Sequence, residues 1–270
     1  MSEEVLYFWL RIPPTGGGYK RSVDKMVDRA EIGVEYQKMY TQYCPHEQEP
    51  GVPVPDIPTD RFGLGLFDNM GGEPNLVWFK NFHEPDINSL RTHWHENTDT
   101  PFADSVDMTS WGGHCAGWRG MHFFEEDCSC VNLKLADTRL GNTDADWIIF
   151  DTCYSLATNG LDDISDLKDD LVSSVTGERC AHLFLGFYGY AHWNESDCGE
   201  YFAKRLKEVG IKEAWFDYCQ NRQPVGSIVR VFGAEDSMDD SVAGTGPIEV
   251  SRDPTKDSEW THDYYVKLSD

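Results

Sequence analysis

The sequence predicts an α/β fold in which a mostly parallel sheet is flanked by helices on both faces. Continuous apolar runs, rather than alternating ones, are typical of strands buried on both sides, and Trp147–Phe150 is the strongest example. Such runs alternate along the chain with amphipathic segments, as at residues 196–210, where Phe202, Leu206 and Val209 share one helical face. This alternation of buried strands and helices favours a parallel sheet over an antiparallel one.

Residues 1–60 are expected to form an irregular N-terminal extension that packs on the core or leads into it. Within this extension, segment 22–40 is predicted to be a helix, because Ser22 is a suitable N-cap and apolar residues recur after it. The proline-rich segment 47–60 is predicted to be a loop or an arm.

The core domain is predicted to span residues 61–234, and each of its elements follows from a local pattern. Alternating or continuous apolar residues predict strands at 61–67, 75–82, 105–111, 146–153, 180–190 and 225–234, and a strand–turn–strand unit at 121–135. Helical spacing predicts helices at 161–174, 196–210 and 211–222, and a helix or turn at 86–98. Residues 235–270 are expected to form an acidic tail, with an edge strand at 263–268.

The net charge of −24 limits the partners that the protein can bind. An acidic surface repels nucleic acid and anionic membranes, so we expect neither as a partner. The N-terminal residues lack the basic start of a signal peptide, and no stretch approaches the ~18 apolar residues of a membrane span. These features predict a soluble, cytoplasmic protein, while its oligomeric state stays open.

Two metal-binding patterns in the sequence have simpler interpretations. Cys128 and Cys130 are too closely spaced for a zinc knuckle, and no second knuckle follows. His93 and His95, with His83, could bind a metal, but exposed polar histidines are the simpler interpretation. We therefore predict no metal site. A P-loop and the G-x-G-x-x-G and G-x-S-x-G motifs are also absent from the sequence, which disfavours phosphoryl transfer, dinucleotide cofactors and α/β-hydrolase chemistry.

Two chemically suggestive residues follow predicted strands. His114 lies in a glycine-rich loop after one strand, and Cys153 lies directly after another. If the two strands are parallel neighbours, both side chains emerge at the same edge of the sheet. A cysteine nucleophile needs a nearby base and amides that hold an oxyanion, so this pair would suit nucleophilic catalysis. The alternative for Cys153 is an inert buried thiol.

The segments VDMTSWGGHCAGW and ADWIIFDTCYSLA resemble the caspase-like cysteine peptidases, which include caspases, metacaspases, legumains, gingipains and clostripain. The D-x-C-x-S pattern from Asp151 to Ser155 is most similar to the metacaspase form. More broadly, residues 61–234 resemble an uncharacterised caspase-like domain family of bacteria and archaea, in the order VD-strand–His, DW-strand–Cys, LGF strand and AWF helix. The resemblance implies a caspase-like sheet and a peptide or protein substrate.

The same resemblance assigns roles to individual residues. His114 would be the general base and acid, Cys153 the nucleophile, and the amides of Cys115 and Cys153 the oxyanion hole. Asp151 would line a pocket for a basic P1 side chain; its alternative role is to cap the next turn. No cofactor is implied, and an activating effect of Ca²⁺ is left open. The aromatic segment after the next strand would either shape the substrate cleft or simply pack, through Tyr188, Tyr190, His192 and Trp193.

One residue departs from the pattern of the resembled families. They have glycine after the histidine, where this chain has Cys115. Glycine permits a positive φ and a close approach of substrate, which cysteine does not adopt cheaply. The sequence therefore leaves two functions open for this cleft: a cysteine endopeptidase, and a catalytically silent module that binds a peptide or protein partner. A third class, a structural metal protein that uses the histidines and cysteines, is the remaining alternative.

Overall fold

The computed structural model describes twelve segments of the chain. They are 29–36, 60–70, 77–85, 91–95, 103–114, 119–124, 130–138, 140–141, 145–173, 179–192, 195–242 and 253–269. Within these ranges, none of the helices combines the length and the apolar character that a membrane-crossing segment requires.

The centre of the molecule is a seven-stranded sheet with the strand order β2-β1-β3-β6-β7-β8-β9. The five strands from β2 to β7 pair in parallel, whereas β8 and β9 add to one side as antiparallel strands. The α/β class with a mostly parallel sheet is thus confirmed. The strands of this sheet are β1 (Arg29–Tyr36), β2 (Val77–Pro85), β3 (Met108–Gly112), β6 (Trp147–Asp151), β7 (Leu183–Phe187), β8 (Ile228–Ala234) and β9 (Trp260–Val266).

A separate antiparallel pair and four α-helices complete the regular structure of the described residues. The pair consists of β4 (Gly120–Phe124) and β5 (Cys130–Lys134). The helices are α1 (Asp60–Asn69), α2 (Ser165–Lys168), α3 (Cys198–Leu206) and α4 (Ile211–Arg222). Helix α2 continues into a π-helical turn at Asp169–Ser173, and short 3-10 turns lie at Arg91–His93, Leu135–Asp137 and Glu235–Ser237.

The sheet separates two hydrophobic clusters, as expected for strands that are buried on both faces. Helices α1, α3 and α4 cover one face, where Phe62, Phe202 and Trp215 pack with sheet residues such as Ile149. The other face is covered by the β4–β5 pair and α2, and Phe150 belongs to that cluster. Successive residues of β6 therefore alternate between the two clusters.

The prediction of a strand at 61–67 is wrong, because these residues lie in helix α1. Their apolar residues can be matched to either period, but the helix buries Phe62, Leu66 and Phe67 against α3. The two helices approach closely at Gly199, where an added Cβ would lie 1.8 Å from the carbonyl oxygen of Phe62. This contact depends on a residue far along the chain, so the local pattern does not show it.

The predicted helix at 22–40 is also wrong where the structure describes it, because residues 29–36 form β1. This strand lies between β2 and β3, and its pairing on both sides overrides a weak helical pattern. The N-terminal extension therefore contributes a strand to the main sheet and is not irregular throughout. At the other end of the chain, β9 forms the last strand of the same sheet.

The remaining predictions for these elements are largely confirmed. Strands are present within 75–82, 105–111, 146–153, 180–190 and 225–234, with β2 and β3 ending slightly later than predicted, and the 121–135 unit forms the β4–β5 pair. Helices are present within 161–174, 196–210 and 211–222. The 86–98 segment contains a short 3-10 turn in its described part.

Candidate active site

The strands that precede His114 and Cys153 are parallel neighbours in the sheet. Strand β3 pairs with β6, and the last matched residues of this pair are Gly112 and Asp151. His114 lies two positions beyond the first of these residues, and Cys153 lies two positions beyond the second. The two strands are thus parallel neighbours, as the dyad hypothesis requires, and both residues follow strand ends at the same edge of the sheet. His114 is exposed, and its role as base stays a prediction.

The thiol of Cys153 lies at the boundary between core and solvent. It is not part of a disulfide, is partly exposed, and packs against the cluster formed with α1, α3 and α4. The backbone N–H of Ala191 donates to its Sγ at 3.4 Å, and the thiol contacts the Ala191 carbonyl oxygen at 3.8 Å. The two contacts hold the sulfur against the backbone of Ala191, in the loop that follows β7.

The Cys153 turn, residues 152–156, is held rigidly after β6. Tyr154 adopts a left-handed φ of +54°, which costs energy for a residue other than glycine. Its N–H donates to the Gly189 carbonyl oxygen at 2.7 Å, and its own carbonyl oxygen accepts from the N–H of Arg119 at 3.1 Å. These contacts bind the turn to the ends of two neighbouring segments and fix the position of Cys153.

Ser155 links the Cys153 turn to the sheet itself. Its buried hydroxyl donates to the Phe150 carbonyl oxygen at 3.2 Å and accepts from the Phe187 N–H at 2.9 Å. Phe150 is the second-to-last residue of β6, and Phe187 is the last residue of β7. One side chain therefore connects the turn to two strands.

Asp151 is fully buried below Cys153, on the same face of the sheet. Burial, and then the charge of Asp151, raise the pKa of the Cys198 thiol to about 12. The same two causes raise the pKa of the Tyr218 hydroxyl well above its ordinary value. Asp151 is therefore a buried carboxyl group between the strand and helices α3 and α4. Its predicted role in binding a basic side chain stays a prediction.

Of the aromatic residues after β7, Tyr188 is packed and Tyr190 is exposed. Tyr188 donates its hydroxyl to the Thr158 carbonyl oxygen at 3.2 Å, and the Arg230 guanidinium lies 5.0 Å from its ring centre. Tyr190 is 62% exposed and makes an edge contact with Tyr154, with ring centres 4.9 Å apart. Tyr190 is thus the aromatic side chain presented to solvent beside Cys153.

Two predicted site residues, Cys115 and Trp193, lie outside the described residues. Sequence reasoning missed Gln223, which follows α4 and is almost fully buried. Its side chain accepts from the His192 N–H at 3.0 Å and donates to the His192 carbonyl oxygen at 2.8 Å. It also donates to the Tyr218 hydroxyl at 2.7 Å. Gln223 therefore fixes the 188–192 loop, whose Ala191 contacts the thiol, and no sequence motif marks it.

A second polar cluster lies at the opposite edge of the sheet, where β6 and β7 begin. This aspartate–histidine cluster consists of Asp146, His182, Asp240 and Asp253, with Arg179 beside it. Burial raises the pKa of Asp146 to about 6, against the lowering effect of His182 and Arg179. Burial lowers the pKa of His182, but its hydrogen bond to Asp240 and the nearby carboxylates outweigh this and raise it. No sequence motif marks this cluster.

Of the three histidines that could bind a metal according to the sequence, the structure describes the side chains of two. His93 is buried within a 3-10 turn and His95 is half-buried, whereas nothing is described of the His83 side chain. Among the described residues, the group of potential metal ligands that comes together is Asp146, His182 and Asp253.

Comparison with known proteins identifies a family without a stated function. No curated protein matches the chain. The family model described as "Domain of unknown function (DUF6345)" matches residues 75–264, a segment that includes His114, Cys153 and the aspartate–histidine cluster. Because this segment covers more than half of the sequence, the chain belongs to the DUF6345 family.

Proposed function

We propose that this protein is a caspase-like cysteine endopeptidase with a Cys153–His114 dyad. The observation that carries the proposal is the parallel pairing of β3 and β6, with Gly112 opposite Asp151. In parallel sheets, ligands bind beyond the carboxyl ends of the strands, and both dyad residues follow such ends. The partly exposed thiol with an N–H donor and the strained turn after it add support.

The proposed mechanism uses two steps of acyl transfer. His114 accepts the thiol proton of Cys153 as the sulfur attacks the carbonyl carbon of the scissile bond. The oxyanion is stabilised by the backbone amides of Cys115 and Cys153, and His114 then gives the proton to the departing amine. Water, deprotonated by His114, attacks the thioester, and the second peptide leaves as a carboxylic acid while the thiol is regenerated.

A basic P1 residue is the preferred substrate feature in this proposal. The Asp151 carboxyl group is buried on the Cys153 side of the sheet, where an ion pair with a basic side chain would be stronger than at the surface. Tyr190 provides an exposed aromatic surface at the entrance beside Tyr154. A basic side chain suits these two features, because its charged head pairs with a carboxylate and its aliphatic stem packs on an aromatic ring.

The proposal includes a reducing, cytoplasmic setting and no required cofactor. The four described cysteines that are free thiols, Cys153, Cys180, Cys198 and Cys219, are consistent with a reducing compartment. A Ca²⁺ effect on activity would act through the acidic surface and is tested with the same assay.

The alternative function is a catalytically silent module that binds a peptide or protein in the same cleft. It is favoured by Cys115, which replaces the glycine of the resembled families. A residue with a Cβ restricts the backbone there, and an altered loop would still bind an extended chain.

The test is cleavage of fluorogenic peptides with varied P1 residues under reducing conditions, with and without Ca²⁺. The variants are Cys153→Ala and His114→Ala, and Cys219→Ala is the matched control because that thiol is buried in helix α4. We expect cleavage after Arg or Lys in the wild type and in the control. We expect at least a ~100-fold loss in the two dyad variants.

Each outcome of this test decides between the two functions. Cleavage after uncharged residues that still depends on Cys153 would support the dyad mechanism and exclude the role of Asp151 in binding a basic P1 residue. Equal cleavage by wild type and Cys153→Ala would contradict the mechanism. No cleavage, together with saturable binding of a peptide, would establish the silent module.

A further inference from the structure

We propose that Asp146, His182 and Asp253 bind one Zn²⁺ ion at the sheet edge opposite the candidate active site. Asp146 and His182 directly precede β6 and β7, and the first residues of these strands, Trp147 and Leu183, are matched neighbours. The His182 N–H donates to the Asp146 carbonyl oxygen at 2.7 Å, which holds the two residues side by side. Asp253 approaches them from the segment that leads to β9.

The spacing of the three ligand atoms fits a tetrahedral ion. His182 Nε2 lies 3.5 Å from Asp146 Oδ1 and 3.5 Å from Asp253 Oδ1. These separations are longer than an ordinary N–H···O hydrogen bond, whose mode is about 2.9–3.0 Å. Zinc bonds to nitrogen and oxygen of about 2.0–2.2 Å, at tetrahedral angles, separate neighbouring ligand atoms by about 3.4 Å. A fourth position is left for water.

Asp240 orients the imidazole of His182 for zinc binding. Its Oδ2 lies 2.8 Å from Nδ1 of His182 and accepts from the indole N–H of Trp147 at 3.1 Å. A carboxylate in this position draws the imidazole hydrogen to Nδ1, so that in neutral His182 the lone pair of Nε2 faces Asp146 and Asp253. Metal-bound histidines are oriented by carboxylates in the same manner.

The charges of the cluster also match a divalent cation. Asp146, Asp240 and Asp253 carry three negative charges when ionised, and Arg179 contributes one positive charge through ion pairs with Asp146 and Asp253. With a neutral imidazole, two negative charges remain to be balanced, and Zn²⁺ supplies two positive charges. An imidazolium would balance one of them. Arg179 approaches Asp253 through Oδ2, whereas Oδ1 faces His182. At Asp146 it pairs with Oδ1, the oxygen that also faces His182, so a bound ion would share this oxygen with Arg179 or displace the guanidinium from it.

The ligand set and the access route favour zinc over harder cations. An imidazole nitrogen with carboxylate oxygens suits Zn²⁺, whereas Ca²⁺ and Mg²⁺ are bound by oxygen. Asp253 is 62% exposed and lines an acidic surface cavity of about 290 Å³ together with Glu235, Asp236 and Glu259. This cavity attracts cations and connects the cluster to solvent.

The ion would join the segment before β9 to the starts of two central strands. Without the ion, the backbone contact described between this segment and the residues before β7 is one hydrogen bond. The Cys180 N–H donates to the Pro254 carbonyl oxygen at 2.9 Å. Binding of an ion to the folded state stabilises that state by mass action. The site is therefore structural and independent of the dyad chemistry proposed for Cys153.

The test is titration of the full-length, chelator-treated protein with Co²⁺ and Zn²⁺. Co²⁺ reports its ligands, because thiolates give near-ultraviolet sulfur-to-metal charge-transfer bands and nitrogen and oxygen ligands do not. We expect one Co²⁺ per chain with tetrahedral visible bands and no thiolate band, displaced by Zn²⁺. The key variant is Asp253→Asn, which removes the exposed ligand without a change in size. The matched control is Asp257→Asn, in the same exposed segment.

We expect Asp253→Asn to raise the Kd for Co²⁺ at least ~10-fold and to abolish the rise in Tm that Zn²⁺ causes, with Asp257→Asn unchanged. Absence of binding by the wild type would overturn the proposal. Binding with a thiolate band, or binding equal in the two aspartate variants, would also overturn it. In those cases His182 acts as an imidazolium paired with the three aspartates.

Discussion

At the scale of the residue, the position of Cys153 is determined by the side chains that hold its turn. The turn has a left-handed residue, Tyr154, and is connected to β6 and β7 by the hydroxyl of Ser155. Gln223 holds the opposing 188–192 loop from the end of a distant helix. The candidate nucleophile is thus fixed from both sides before any substrate binds, which is the preorganisation that acyl transfer requires.

The Ser155→Ala variant tests this account of the turn. The loss of the hydroxyl leaves the buried N–H of Phe187 without its acceptor, which costs about 1–3 kcal/mol. We expect the free energy of unfolding, measured with urea, to fall by that amount. The control is Ser165→Ala, whose hydroxyl is exposed, and we expect a change within about 0.5 kcal/mol. Equal effects of the two substitutions would show that Ser155 does not hold the turn.

At the scale of the element, helices α3 and α4 are connected by an ion pair at the end of the helical layer. Arg222, in the last turn of α4, donates two hydrogen bonds to the carboxylate of Asp197, at 2.8 and 2.7 Å. The same guanidinium lies 4.2 Å from the ring centre of Tyr201 in α3. The bidentate geometry and the ring contact fix the angle between the two helices more firmly than a single exposed pair would.

The stability contributed by this pair is expected to depend on pH. The hydrogen bond to Arg222, only partly opposed by burial, lowers the pKa of Asp197. A lowered pKa in the folded state means that the stabilisation is present above the unfolded pKa of about 3.9 and is lost as the pH falls through the folded value. We expect Asp197→Asn to cost up to about 1 kcal/mol at pH 7, discounted for its partial exposure.

The measurement is urea unfolding of wild type and Asp197→Asn between pH 7 and the acid limit of folding. The difference in free energy should shrink as the pH approaches the folded pKa, and the Asp257→Asn control should show little difference throughout. A difference that grows on acidification would contradict the assigned direction of the pKa shift.

At the scale of the whole molecule, the sheet could be largely predicted, because its central strands are continuous apolar runs. The runs Met108–Gly112 and Trp147–Asp151 are buried on both faces and have no competing helical period. Helix α1 and strand β1 could not be predicted, since their state depends on a close approach at Gly199 and on two neighbouring strands. Local patterns do not contain these distant contacts.

The candidate active site and the aspartate–histidine cluster also differ in how far the sequence predicts them. The adjacency of the two strands that precede His114 and Cys153 could be inferred, because neighbouring parallel strands end at the same edge of the sheet. Gln223 could not be found, since it reaches the 188–192 loop from the end of α4. The aspartate–histidine cluster also could not be predicted, because Asp253 is remote in sequence from Asp146 and His182 and no regular spacing connects them.

The most direct test of the central claim is the site of covalent labelling by a substrate-like electrophile. The reagent is a peptidyl acyloxymethyl ketone with arginine at P1, and mass spectrometry of the intact and digested protein identifies the modified residue. We expect one adduct per chain, on Cys153, formed at least ~100-fold more slowly in His114→Ala. Labelling of other cysteines in its place, or a rate that is unchanged without His114, would contradict the assignment of the Cys153–His114 dyad.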